Sequence, residues 1–99
     1  MHANEMHANE TRETGMRDDP GRSRFELEVD GAVAYADYRR QPGTLVIAYV
    51  YAPPVLRGTG AADRLMRAVA ETARAEGRQI VPLCGYAAAW LRRHRDLPG

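Results

Sequence analysis

The sequence predicts an α/β fold (α+β in some schemes) with a mixed, mainly antiparallel sheet, its elements running βββαβα. Three observations carry that expectation. Phe25, Leu27 and Val29 alternate with Glu26, Glu28 and Asp30, the period of a half-buried strand. The run TLVIAYVYA from Thr44 to Ala52 is apolar throughout, as a strand covered on both faces would be. Ala62, Leu65, Met66, Val69 and Ala73 then fall on one helical stripe.

Each element has a local cause. Asp30-Gly31 is a strong hairpin signal and joins the first strand to a second over 32–39, where Ala34, Ala36 and Tyr38 share one side. Gln41-Pro42-Gly43 breaks that strand, and Pro53-Pro54 ends the third, because proline cannot donate to a ladder. Along the helix Asp63, Arg64, Arg67, Glu71 and Arg74 take the wet side, and Gly77 is a natural stop just past the end. Gln79 to Leu83 reads as a fourth strand, and Tyr86 to Arg93 as a second helix docked by Trp90 and Leu91.

Residues 1–23 read differently. Met-His-Ala-Asn-Glu occurs twice in succession at the start, and the stretch up to Ser23 is polar and poor in large apolar side chains. Such a segment cannot repay its ordering entropy, so 1–23 is expected to be a disordered tail and 24–99 the folded domain.

Composition excludes several classes of function. Hydrophobic residues make up 44% and charged residues 27%, ordinary for a globular chain. No apolar stretch approaches the ~20 residues of a spanning helix, and the opening has no secretory apolar core, so no membrane is expected and the cytoplasm is the expected compartment. Cys84 is the single cysteine, and His2, His7 and His94 do not cluster with it, so no metal is expected. All 14 basic residues are arginine. Residues 24–99 hold eleven of them against eight carboxylates, a net +3, while the tail is net −2. That balance suits a small anionic ligand better than a nucleic acid, which is met by a denser basic face.

The segment from Tyr51 to Ala62, YAPPVLRGTGAA, carries the chemistry. A buried strand ends at two prolines, a glycine-rich turn follows, and a helix begins. The first turn of a helix leaves backbone N–H groups unpartnered and carries partial positive charge. Glycines let that backbone approach an anion, and Arg57 adds a formal charge, which makes a diphosphate cradle. The dinucleotide fingerprint fails because Asp63 stands where its third glycine belongs, and the P-loop fails because the chain has no lysine.

Arg57-x-x-Gly60-x-Ala62, with the strand before it and the striped helix after it, resembles the coenzyme A loop of GCN5-related N-acetyltransferases. The stretches FELEVDGAVAYADYR, YVYAPPVLRGTGAADRL and IVPLCGYAAAWLRRH are similar to the very short single-domain branch of that superfamily, over about residues 25–95. The resemblance implies an acetyl-CoA-dependent N-acetyltransferase in which an amine attacks the thioester directly. It implies that the amides of Arg57, Gly58, Thr59, Gly60, Ala61 and Ala62 hold the diphosphate. It implies that residues 48–52 splay from the neighbouring strand so that Val50, Tyr51 and Ala52 pair with the pantetheine arm, an amide near Tyr51 or Ala52 polarising the carbonyl. Cys84 and Tyr86 are its candidate catalytic residues, the thiol as a transient acetyl carrier or proton donor and the phenol as proton donor to the departing thiolate.

The chain also departs from that branch. Tyr49-Val50 stands where His-Thr is common, and His94-Arg95 where His-Pro is, so no histidine base comes from the first position. No carboxylate lies between Leu45 and Gly60. Two other readings stay open: a module that binds acyl-CoA without turnover, and a small protein- or RNA-binding accessory using the arginine-rich end. The acceptor the resemblance implies is a small-molecule or peptide amine, which the sequence does not narrow further, and a monomer or a homodimer is expected.

Overall fold

The computed structural model describes residues 12–94. Its five strands are β1 (Arg17–Asp19), β2 (Arg24–Val29), β3 (Ala32–Gln41), β4 (Thr44–Tyr51) and β5 (Gln79–Pro82), ordered in the sheet as in the chain. Helix α1 (Ala61–Ala75) lies between β4 and β5, and α2 (Gly85–Arg93) follows β5. The first four strands pair antiparallel and β5 adds to β4 in parallel. A parallel neighbour cannot be reached by a tight turn, and α1 supplies the crossover. The mixed, mainly antiparallel sheet is the expected one.

Local chemistry explains the hairpins and helix ends. Asp30 and Gly31 both have positive φ, 51° and 84°, the pair of left-handed residues that a two-residue hairpin needs. Helix α1 ends in a Schellman arrangement: the Gly77 N–H donates to the Arg74 carbonyl and the Arg78 N–H to that of Ala73, at 3.1 and 2.8 Å.

The core lies on one face of the sheet. Phe25, Leu27 and Val29 of β2, Ala34, Ala36 and Tyr38 of β3, and Leu45 and Ile47 of β4 meet Leu65, Met66, Val69 and Ala73 of α1, with Trp90 of α2 fully buried beside them. Each large side chain sealed in this way contributes roughly 1.5–3 kcal/mol. The opposite face carries Tyr35 of β3 and, across from β3 on β4, Tyr49 and Tyr51.

Two expectations are corrected. Residues 12–23 are not a tail: β1 pairs with β2, and Glu13 bridges Val29. The Thr14 N–H donates to the Glu28 carbonyl at 2.9 Å and the Asp30 N–H to that of Arg12 at 2.7 Å. The edge of β2 offers a row of backbone donors and acceptors, and a largely polar segment satisfies them while Met16 packs against the core. Asp18 accepts from the Tyr38 hydroxyl at 2.5 Å and pairs with Arg40 at 2.9 Å, fixing β1 to the sheet. Residues 1–11 of the expected tail lie outside the described residues. The second correction concerns β4, which is covered on both faces only at Leu45, Val46 and Ile47, while Ala48 and Tyr49 are exposed. Its partner β5 stops at Pro82, opposite Ile47.

Candidate functional site

The end of β5 opens the molecule. The pairing of β4 with β5 runs from Thr44↔Gln79 to Ile47↔Pro82, and the Leu83 N–H to the Ile47 carbonyl, 2.9 Å, is the next link. On its other side β4 breaks step with β3: Tyr38 faces Ile47 and Asp37 faces Tyr49, so Ala48 is an extra, bulged residue. A bulge beside a site re-aims the strand that follows it. Beyond Ile47, therefore, β4 turns away from β5 with its edge bare of any strand among the described residues.

A cleft of about 380 Å³ fills that gap. Val50, Tyr51, Ala52, Arg57, Gly58, Gly60, Ala61, Ala62 and Tyr86, all singled out from the sequence, line it together. Two other candidates do not. Thr59 is exposed and its hydroxyl is taken up within the turn, donating to the Leu56 carbonyl at 2.6 Å and accepting from the Ala61 N–H at 3.3 Å. Cys84 caps α2, its Sγ accepting from the Ala87 N–H at 3.4 Å.

The turn into α1 is shaped by two left-handed glycines, Gly58 with φ 79° and Gly60 with φ 85°. A Cβ on Gly60 would come within 2.9 Å of an Arg64 guanidinium nitrogen, whereas one on Gly58 would meet nothing. Gly60 is the N-cap residue and offers no side chain to the helix. The N–H groups of Gly58, Gly60, Ala62 and Asp63 have no partner among the described residues. Arg57 stands beside them, its Nε donating to the Ala52 carbonyl at 3.0 Å and its guanidinium 5.8 Å from the centre of the Tyr51 ring. Open amides, a helix N-terminus and an arginine together fit a diphosphate, and the bare edge of β4 fits a linear arm bearing amides.

Three lining residues escaped the sequence reading: Tyr49, Leu56 and Asp63. By the helical stripe alone Asp63 belongs on the wet side of the helix, yet it sits in the first turn and lines the cleft. Its Oδ1 accepts from the Trp90 indole at 2.8 Å and its Oδ2 from Arg67 at 3.1 Å. Burial alone would raise this carboxyl, but the bonds from Trp90 and Arg67 outweigh it and hold Asp63 below the ordinary carboxylate range. His94 stacks on Trp90, ring centres 4.0 Å apart, with Nε2 3.8 Å from Asp63. The signal in the sequence was the acidic residue three positions after a glycine N-cap, which is also what broke the dinucleotide fingerprint. Burial pushes the Tyr86 hydroxyl above its ordinary value, the Asp63 charge adds to this, and Arg93 opposes it.

A bulged strand, a splayed neighbour and a glycine turn into a helix thus meet in one cleft, and a family model describing GCN5-related N-acetyl-transferases matches residues 24–98. The chain belongs to the GCN5-related N-acetyltransferase family. No curated protein matches it. Membership makes acyl transfer the general activity of this domain, in a family that typically uses acetyl-CoA. Two α-helices pack with the sheet among the described residues. Among those residues no helix is long and apolar enough to cross a membrane, and no three His, Cys, Asp or Glu side chains gather to hold a metal.

Proposed function

We propose that this protein transfers an acetyl group from acetyl-CoA to an amine by direct attack. The observation that carries the reading is the left-handed turn Gly58–Gly60, opening unpartnered amides at the head of α1 beside the free edge of β4. Acetyl-CoA supplies the activated acyl group; the protein's part is to bind, orient and manage protons.

The amides of Gly58, Gly60, Ala62 and Asp63 hold the diphosphate, with Arg57 as counter-charge; the Ala61 amide already spends itself on Thr59. The edge of β4 over residues 48–52 hydrogen-bonds the pantetheine arm, and an amide near Tyr51 or Ala52 steadies the oxygen on which charge develops. Holding both reactants in one cleft supplies much of the acceleration. Tyr86 is the proton donor to the leaving sulfur: it lines the cleft, and burial together with the Asp63 charge keeps its proton in place around neutral pH. Cys84 is the weaker candidate, because its sulfur faces the Ala87 amide from outside the cleft lining.

Calorimetric titration with CoA, paired with an assay of thiol release from acetyl-CoA, tests this. Saturable binding and thiol release are expected, and Arg57→Glu weakens binding at least tenfold by placing a carboxylate against the phosphates. A flat titration overturns the reading. Saturable binding with no thiol release for any amine turns it into that of an acyl-CoA-binding module.

A further inference from the structure

The acceptor side of the cleft has a chemistry of its own. Five titratable side chains face the cleft: Tyr49 and Tyr51 from β4, Arg57 from the turn, Asp63 from α1 and Tyr86 from α2. Asp63 is the one carboxylate among them. Both its oxygens are engaged, one by the Trp90 indole and one by Arg67, with His94 close by and the indole fully buried. A carboxylate held in this way is a poor proton acceptor near neutrality. An alkyl ammonium group, with an ordinary pKa of ~10.4, is neutral in roughly one molecule in 2,500 at pH 7. An amine that arrives already neutral needs no such help.

Two residues of the cleft lining, Tyr49 and Tyr51, belong to an aromatic cluster completed by Tyr35, which stands outside the lining. Tyr35, Tyr49 and Tyr51 form a triangle with ring centres 5.3 to 6.4 Å apart. Two of the three rings already carry guanidinium groups: Arg24 lies 3.7 Å from the centre of Tyr35 and Arg57 5.8 Å from that of Tyr51. Tyr49 carries none and is 49% exposed, at the mouth of the cleft. Its ring is the open member of the cluster, free to take a second aromatic ring in the offset or tilted geometry that such pairs prefer.

We infer that the acceptor is a primary aromatic amine, stacked on Tyr49 with its nitrogen directed into the cleft. This rests on the acetyltransferase reading and names its substrate class. The step balances without an external base: the nitrogen lone pair forms the C–N bond, the C–S bond breaks with its electrons on sulfur, Tyr86 protonates that sulfur, and the proton lost by the nitrogen passes through water to restore the phenol. The products are an N-aryl acetamide and the free thiol.

The test uses two isomers of equal size, 4-methylaniline and benzylamine, with the full chain and acetyl-CoA. At pH 7 the expected kcat/KM for 4-methylaniline exceeds that for benzylamine at least tenfold, and the gap narrows toward pH 10 as benzylamine loses its proton. Binding of 4-methylaniline to the CoA-loaded protein, followed by NMR line broadening, weakens about fivefold in Tyr49→Leu, and Tyr49→Phe restores most of the loss because it keeps the ring. Thermal melting of Tyr49→Leu, altered at a half-exposed position, verifies that the variant is folded. Benzylamine equal or superior at pH 7, or 4-methylaniline binding that Tyr49→Leu leaves unchanged, overturns the inference while CoA binding and thiol release stand. Absence of CoA binding removes the acetyltransferase reading and this inference with it.

Discussion

Gly60 shows how one position serves both the fold and the site. Its φ of 85° is a conformation that other residues enter only at a cost, and the Arg64 guanidinium fills the space a Cβ would need. That guanidinium is held in place, donating to the Thr59 carbonyl at 3.0 Å and pairing with Glu13 at 2.7 Å. Gly60→Ala is therefore expected to destabilise the protein by about 1–2 kcal/mol, the cost of a left-handed alanine. It should also weaken CoA binding, since the neighbouring amides turn with the backbone. Chemical denaturation and calorimetry on the same variant measure the two effects. Asp63 teaches the same lesson from another side: an acidic residue in the first turn of a helix is ordinary, and only the indole of Trp90, reaching it from α2, makes it part of the cleft wall.

Among the elements, β1 and β5 decide most by where they stop. With only four residues, β5 releases β4 after Ile47 and so creates the cleft. The three residues of β1 are too few to hold by pairing alone. They are pinned by Asp18, which accepts from Tyr38 and pairs with Arg40, a guanidinium that also bonds Glu76 just beyond α1. Asp18→Ala leaves the hydroxyl of a buried tyrosine without its acceptor, at a cost of about 1–3 kcal/mol. Hydrogen exchange at the β1–β2 amides should rise in that variant, while the cleft, at the other end of β4, keeps its affinity for CoA. Equal loss of protection in β5 would show that β1 is no separate unit.

On the scale of the whole molecule, charge couples stability to pH. Glu76 accepts from Arg40 at 2.8 and 2.9 Å and from Arg78 at 2.8 Å. The bonds from Arg40, helped by Arg78 and opposed by burial, lower its carboxyl from 4.5 to about 2. A carboxyl depressed in the folded state stabilises above its unfolded pKa, and that contribution disappears as the pH falls through the folded one. Melting temperature should accordingly fall as pH drops from about 5 to about 2. Glu76→Gln should melt lower at pH 7 and respond less over that window. An unchanged acid slope in the variant would show that other carboxylates carry it.

Most of this fold was legible in the sequence because it is written in local patterns. The alternation around Phe25, the turn at Asp30-Gly31, the breaks at Pro53-Pro54 and the stripe ending at Gly77 depend on neighbours in the chain, and each appears within a residue or two of its expected place. The glycine turn into α1 was legible for the same reason: left-handed backbone at a helix start is a property of a few consecutive residues. Tertiary structure alone decided what depends on partners far apart in the chain. Residues 12–23 look unfoldable in isolation and become strand because β2 has an edge to share. Equally, β4 reads as buried along its whole length, yet its second half lines a cleft because β5 ends at Pro82. Periodicity records which side of an element is apolar, but where a neighbouring strand ends, and which distant side chain closes on a carboxylate, follows from packing in three dimensions.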